Sequence, residues 1–390
     1  MNQVVISNEA SEKVKGFFPW VYDNEVLRVP RNIFAGQIVE VRSTTGVFLG
    51  VGYINPRSRI AVRILSFKDE EINRTFFLSK IAKADLQRVH LKKKTNAYRI
   101  VHSEADNLPG LIIDSYGRHI SVQINTAGME FWRKTIIESI CECFQPDGIY
   151  EKSDRSAREK EGLSTMESVL TGSISDQVLI RENENLFQIR LKESQKTGFY
   201  LDQRRNRSIV SNYVEKGFKV LDVFSNTGGF GIYAGRAGAG SVCLVDISQS
   251  ALDTADRNIK LNNLKEFNLI KADAFDFLTR EADEGKRYDM IILDPPSFTK
   301  TMQAKRGAIR GFKYLVSKSF EILNSGGFLA LFSCSHHVLL DDLNEIMRIA
   351  AINSKLRIKI LEHLFQDVDH PYLINFPQSL YLKGLLAQKD

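Results

Sequence analysis

Cys334 follows the apolar residues of Leu331-Phe332-Ser333-Cys334-Ser335-His336-His337, and Asp294 closes a second apolar run, Leu293-Asp294-Pro295-Pro296-Ser297. A thiol and a carboxylate at the ends of buried segments can perform covalent catalysis, the cysteine as nucleophile and the carboxylate as hydrogen-bonding partner. The two prolines stop the segment and stiffen the backbone that carries Asp294. By itself a strand cysteine is more often a small packing residue. The adjacent His336 and His337 point apart and have no further ligand cluster, so they read as loop residues and no metal site is expected.

A cofactor site raises the standing of Cys334. Val220-Leu221-Asp222-Val223-Phe224-Ser225-Asn226-Thr227-Gly228-Gly229-Phe230-Gly231 is a buried strand running into a glycine-rich turn that opens a helix. Phe224, Asn226, Thr227 and Gly228 form that turn, whose free N–H groups suit a carboxylate or phosphate. The next strand ends in Val245-Asp246-Ile247, where Asp246 can accept from ribose hydroxyls and Ile247 follows it. A third ends in Lys271-Ala272-Asp273-Ala274, with Asp273 and Ala274 suited to an adenine. The turn lacks the G-x-G-x-x-G order that seats a pyrophosphate. An adenosine with a charged amino-acid tail fits better, Asp222 meeting its ammonium. That ligand is S-adenosylmethionine (SAM).

With a methyl donor in place, Cys334 acquires a purpose. C5 of cytosine or uracil is a poor nucleophile until a thiolate adds to C6. The activated C5 can then take a methyl group, and loss of its proton expels the cysteine. Asp294, which also belongs to the cofactor site, could hold N3 and the exocyclic amine of a cytosine. The thiol needs local activation, because a free cysteine is mostly protonated near neutral pH.

The elements that must hold these residues alternate strand and helix from Lys219 to the end of the chain. Strands are expected at Lys219–Phe224, Ser241–Asp246, Phe267–Ala272, Tyr288–Leu293 and Gly327–Ser333, with closing strands near Leu356–Leu361 and Leu380–Leu385. This is the pattern of a parallel, doubly wound sheet, which binds ligands at the carboxyl ends of its strands. The first ~70 residues read instead as short β-branched runs punctuated by Gly and Pro, suiting a small barrel. Between the two, a helix carries Phe77, Ile81 and Ala84 on one face, and strands at Leu111–Asp114 and Ile120–Ile124 follow. A helix from about Met129 to Cys143 is expected to turn Phe131, Ile136 and Ile140 inward.

Hydrophobic content of 43% with 26% charged residues is that of a globular protein. No apolar run is long enough to span a bilayer and the N-terminus does not read as a signal peptide, so a cytoplasmic protein without a membrane partner is expected. Cys141, Cys143, Cys243 and Cys334 offer neither a CxxC pair nor a disulfide framework. A net charge of +6 permits a polyanionic partner. Arg306, Arg310 and Lys313 lie at i, i+4 and i+7, one basic stripe beside the apolar Ile309, Phe312, Val316 and Phe320. Phosphates flanking a target base could dock there, the base being flipped toward Cys334. Arg204-Arg205-Asn206-Arg207 is a second basic cluster, with Arg204 a candidate RNA contact.

Taken together, these motifs resemble the bacterial large-subunit ribosomal RNA cytosine-5 methyltransferases of the RlmI type. The resemblance covers essentially the whole chain. It is carried by Gln195–Arg204, Asp222–Gly231, Asp294–Lys300 and Ser333–Val338, with Leu108-Pro109-Gly110-Leu111-Ile112 and Asp369-His370-Pro371. It implies an α/β protein in three parts. Residues 1–70 would be a PUA RNA-binding barrel, bearing Pro19-Trp20-Val21-Tyr22. Residues 71–187 would be a small α/β linking domain, and residues 188–390 a Rossmann-like class I SAM methyltransferase domain. It further implies that Cys334 is the nucleophile and that Gln195–Arg204 lines the approach to SAM, which adds Phe199 and Tyr200 to the cofactor residues. The implied partner is protein-free or partly assembled large-subunit ribosomal RNA, with homodimerisation left open. Phe18 departs from the His that relatives often carry before Pro-Trp. The fourth-strand motif has no second cysteine, so another base must remove the C5 proton.

Two rivals remain. Guanine N7 is already nucleophilic and would need no thiol, so Cys334 argues against guanine as the target. A non-catalytic ribosome-assembly factor could retain SAM as structure, and would not depend on Cys334.

Overall fold

Strands of the first half of the chain pair mostly antiparallel, whereas those of the second half pair mostly in parallel. A mostly parallel sheet built of apolar runs is the kind that helices cover on both faces. A computed structural model describes residues 2–193, 198–298 and 303–390. Gln195, Lys196, Thr197 and Lys300, named above among the motif residues, lie outside the described residues. Two units are distinguished. One comprises the residues through Asn183, Ile189–Leu201 and Val368–Ser379; the other comprises Glu184–Gln188, Asp202–Asp367 and Leu380–Asp390.

In the first unit, β1 (Asn2–Ile6), β2 (Trp20–Tyr22), β3 (Val26–Arg28), β4 (Gln37–Arg42), β5 (Phe48–Ile54) and β6 (Ile60–Ser66) form a six-stranded sheet in the order β2-β6-β5-β4-β1-β3. Helix α1 (Asn8–Lys15) is capped by Ser7, whose side chain accepts from the Ala10 N–H. Helix α2 (Arg74–Gln87) then buries Phe76, Phe77, Ile81 and Ala84. Strands β7 (Ala97–His102), β8 (Leu111–Tyr116), β9 (His119–Ile124), β10 (Gly148–Lys152) and β11 (Glu167–Gly172) make a five-stranded sheet in the order β11-β10-β9-β8-β7.

The expected long helix after β9 is broken. Trp132 ends α3 (Ala127–Phe131) and begins α4 (Arg133–Phe144). Ile136 and Ile140 are buried as the periodicity predicts, but Phe131 is exposed and faces the Phe34 ring at 5.7 Å. The break resets the helical phase, which a continuous 3.6-residue reading cannot register. Helix α5 (Arg155–Lys160) and strand β12 (Val178–Glu182) complete the regular elements of this unit, and β13 (Asn185–Ile189) follows.

The second unit is built on β14 (Lys219–Val223), β15 (Ser241–Asp246), β16 (Phe267–Lys271), β17 (Tyr288–Leu293), β18 (Leu323–Ser333), β19 (Ile358–Phe365) and β20 (Lys383–Lys389). Their order is β16-β15-β14-β17-β18-β20-β19. The first five are mutually parallel; β20 runs antiparallel between β18 and β19. Strand order reverses between β14 and β17, so the crevice at the carboxyl end of that pair is where such a sheet takes a ligand. The helices are α6 (Arg204–Ser211), α7 (Gly229–Ala237), α8 (Gln249–Leu261), α9 (Ala274–Asp283), α10 (Lys305–Ile322) and α11 (Leu340–Asn353). Leu221, Val223, Ile291, Leu293, Leu329 and Leu331 of the sheet pack with Phe312, Leu315, Val316 and Phe320 of α10 in one core. Among the described residues, no helix is long and apolar enough to cross a membrane.

Candidate active site

The turn after β14 has an unusual backbone. Phe224 and Asn226 have φ of 64° and 47°, and Gly228, which caps α7, has φ of 83°. Glycine adopts that region without steric cost and asparagine at little cost, whereas Phe224 pays for it. Gly231 is required by packing: a Cβ would lie 2.4 Å from Leu244 Cδ2.

Asp222 and Asp246 hold this turn from two sides. Asp246 Oδ2 accepts from the Asn226 N–H at 2.9 Å and its Oδ1 from the Ser248 N–H at 2.8 Å. Asp222 is buried, and its Oδ2 accepts from the Gly231 N–H at 2.9 Å. Its Oδ1 has no hydrogen-bond partner among the described residues. Burial pushes the Asp222 carboxyl up to about 8; the Gly231 N–H opposes this, the nearby Asp294 and Asp246 reinforce it, and Arg207 opposes it. A buried carboxylate oxygen short of a donor, beside the free N–H groups of a helix start, is a receptor for an ammonium-bearing ligand. The residues therefore fit SAM.

The other predicted cofactor residues divide. Thr227 offers its carbonyl to the Asn258 side chain at 3.2 Å. Ile247 is 69% exposed, an apolar surface directly after Asp246. Asp273 caps α9 through the N–H groups of Phe275 and Asp276, while the Ala274 side chain lies in the core. Phe199 and Tyr200 belong to the first unit, where the Phe199 N–H donates to the Tyr116 hydroxyl at 3.0 Å.

Asp294 follows β17, which pairs in parallel with β14 on one side and β18 on the other. Its Oδ2 accepts from the Gln203 carboxamide at 3.0 Å. Cys334 directly follows β18, half-buried and outside any disulfide. Asp294 and Cys334 thus end adjacent parallel strands, as the sequence pattern requires. Beyond Asp294, Phe298 packs against Phe224 at 6.3 Å, Phe275 at 6.2 Å and Phe312 at 5.1 Å. An open cavity of about 490 Å³ is lined by Phe275, Phe298, Arg306, Gly307, Arg310 and Gly311.

That cavity joins two of the predicted RNA contacts, Arg306 and Arg310, both exposed; Lys313 is half-buried on the same helix. Arg204 is corrected. It is 3% exposed, and its Nε is paired with Asp367 at 2.8 Å. Helix α6 buries Arg204, Asn206, Arg207 and Val210 together, so the arginine cluster is not the solvated face that its composition suggests. A buried, ion-paired guanidinium does not present itself to a phosphate.

Sequence reasoning placed Gln203 in the stretch lining the approach to SAM and Arg207 in a basic cluster without seeing what either meets, and it missed Lys383. Gln203 and Arg207 bear on the site through contacts between segments distant in the chain, which no local pattern records. Lys383 left one signal, a single charge inside the apolar run Leu380–Leu386.

Residues 4–67 match the family model of a PUA-like domain, and residues 162–365 that of an S-adenosylmethionine-dependent methyltransferase. The chain is 39% identical over 376 residues to the Ribosomal RNA large subunit methyltransferase I of Shewanella amazonensis, covering 95% of each. It is likewise 39% identical over 380 residues to the protein of the same name from Shewanella frigidimarina, again covering 95% of each. Among solved structures, a Streptococcus mutans protein described as a SAM-dependent methyltransferase matches over 100% of both chains with a TM-score of 0.86 and 23% identity. Another methyltransferase structure, complexed with SAH, matches over 100% of both chains with a TM-score of 0.87 and 23% identity. These two show the fold.

Proposed function

Since the chain belongs to the ribosomal RNA large subunit methyltransferase I family, we propose that it methylates C5 of a cytosine in large-subunit ribosomal RNA through a covalent adduct on Cys334. It is a SAM-dependent methyltransferase with a PUA-like N-terminal domain. Bound SAM supplies the methyl group as an electrophile.

The chain's own residues supply the rest. Asp222, the α7 N-terminus and Asp246 receive the amino-acid and ribose parts of the cofactor. Asp294, oriented by Gln203, holds the N3 edge of the cytosine. The Cys334 thiolate adds to C6, C5 becomes nucleophilic and takes the methyl group, and a base other than a cysteine takes the C5 proton as the thiolate leaves. Arg306 and Arg310 meet flanking phosphates, and the target base leaves its stack to reach the site. Protein-free or partly assembled ribosomal RNA is the substrate that leaves such a base accessible.

The observation that carries this reading is a cysteine thiol at the end of β18 beside an aspartate at the end of β17, a nucleophile that guanine N7 methylation would not use. Nucleoside mass spectrometry of large-subunit RNA from a deletion strain, before and after incubation with the protein and SAM, tests it. Gain of 5-methylcytosine supports the adduct. Gain of 7-methylguanine would retain the fold and the cofactor but remove the nucleophile. An RNA left unmethylated would favour a non-catalytic role in ribosome assembly.

A further inference from the structure

Lys383 is 3% exposed within the apolar strand β20. A buried ammonium is costly unless neighbouring groups satisfy it. Lys383 lies directly opposite Ser333 of β18, the residue before Cys334. Its Nζ donates to the carbonyl oxygen of Ser335, the residue after Cys334, at 2.8 Å. The strand register and the ammonium contact therefore bracket the residue that bears the thiol.

Two acidic groups face it. Cys334 acts on it more strongly than Asp342 of α11, the other. Asp342 is already paired with Lys305 of α10 at 2.7 Å. His336, beside the Tyr381 ring at 6.2 Å, is a further titratable group next to the thiol segment.

We infer that Lys383 accepts the thiol proton of Cys334, so that the pair rests as thiolate and ammonium. The S–H bond breaks, an N–H bond forms on Nζ, and the electron pair stays on sulfur; nothing is oxidised or reduced. Burial pushes the Lys383 ammonium down to about 8, with Cys334 and Asp342 pulling it back up, so the amine can both take and hold a proton near neutrality. Use of the thiolate in catalysis rests on the covalent reading above, whereas the ion pair is a property of the free protein. Lys383 acts through Cys334 and is a positioning residue.

The test is the pH dependence of Cys334 alkylation by iodoacetamide in the full chain, with peptide mass spectrometry separating Cys334 from Cys141, Cys143 and Cys243. Lys383→Met is expected to raise the midpoint by about one pH unit or more, the usual effect of removing an opposite charge at close range. Lys383→Arg, which keeps the charge, should return the midpoint part of the way. An unmoved midpoint in folded Lys383→Met overturns the inference. If that variant does not fold, Cys334→Ser with ¹³C-labelled lysine gives the reciprocal reading. The Lys383 midpoint should fall when the thiolate is removed, and an unchanged one overturns the inference. A shifted alkylation midpoint without 5-methylcytosine formation would retain the pair and reject the proposed reaction.

Discussion

The Gln203 carboxamide donates to Asp294 Oδ2 at 3.0 Å, while its own oxygen accepts from the Asn206 side chain at 2.6 Å. The second bond fixes which end of the amide faces the carboxylate. Gln203→Ala should lower single-turnover methylation by about tenfold, the cost of one hydrogen bond to a charged group. Gln203→Glu, which places like charges together, should cost more than alanine. Equal rates for the two variants would contradict this role.

Cys334→Ala should abolish methyl transfer while leaving SAM binding, read by calorimetry, within about twofold, because the thiol takes part in the chemistry and not in cofactor recognition. A variant that still transfers methyl groups would end the covalent account.

Asp246→Ala should weaken SAM binding by about tenfold to a hundredfold, since it removes a charged acceptor from the ribose and releases the N–H groups of Asn226 and Ser248. Calorimetry decides; an unchanged affinity would place the ribose elsewhere.

Asp222 gives the ligand-free protein a pH signature. Its carboxyl stands at about 8 in the folded chain, against 3.8 as the ordinary value. The folded state holds a proton that the unfolded state releases, so this contribution is fully present at low pH and is lost between about 4 and 8. Lys383, lowered from 10.5 to about 8, acts in the opposite sense and only above about 8. Thermal melts should therefore show a smaller drop in Tm from mildly acid to mildly alkaline pH in Asp222→Asn than in the parent chain. Parallel drops would rule out the shifted carboxyl.

The two arginine sites should separate cleanly. Arg306→Glu or Arg310→Glu should weaken RNA binding and reduce its salt slope by about 1 for each phosphate no longer neutralised, with SAM affinity unchanged. Arg204→Ala should instead lower unfolding stability by about 3–5 kcal/mol, because it removes one partner of a buried ion pair with Asp367. Denaturant unfolding and filter binding of the same variants would expose a reversed pattern.

The parallel sheet was legible because its strands are unbroken apolar runs: Ser241–Asp246 and Tyr288–Leu293 form at the expected bounds. Asp222, Asp294 and Cys334 were legible because strand ends in such a sheet converge by topology. Other features were hidden for different reasons. The break at Trp132 shifts a helical phase without any proline or glycine to announce it. Arg204 looks solvated by composition and is buried by the pairing of α6 with a residue far along the chain. Lys383 meets the site only because β20 inserts between β18 and β19, a register no short pattern encodes.

The left-handed turn at Phe224 and Asn226 has an evolutionary consequence. Glycine at either position would relax the backbone, and selection for heat resistance alone would favour it. At Phe224 the exchange would also delete the ring that meets Phe298. A lineage adapting to higher temperature therefore finds Phe224 held by the aromatic wall it completes, while asparagine already tolerates the left-handed region at position 226.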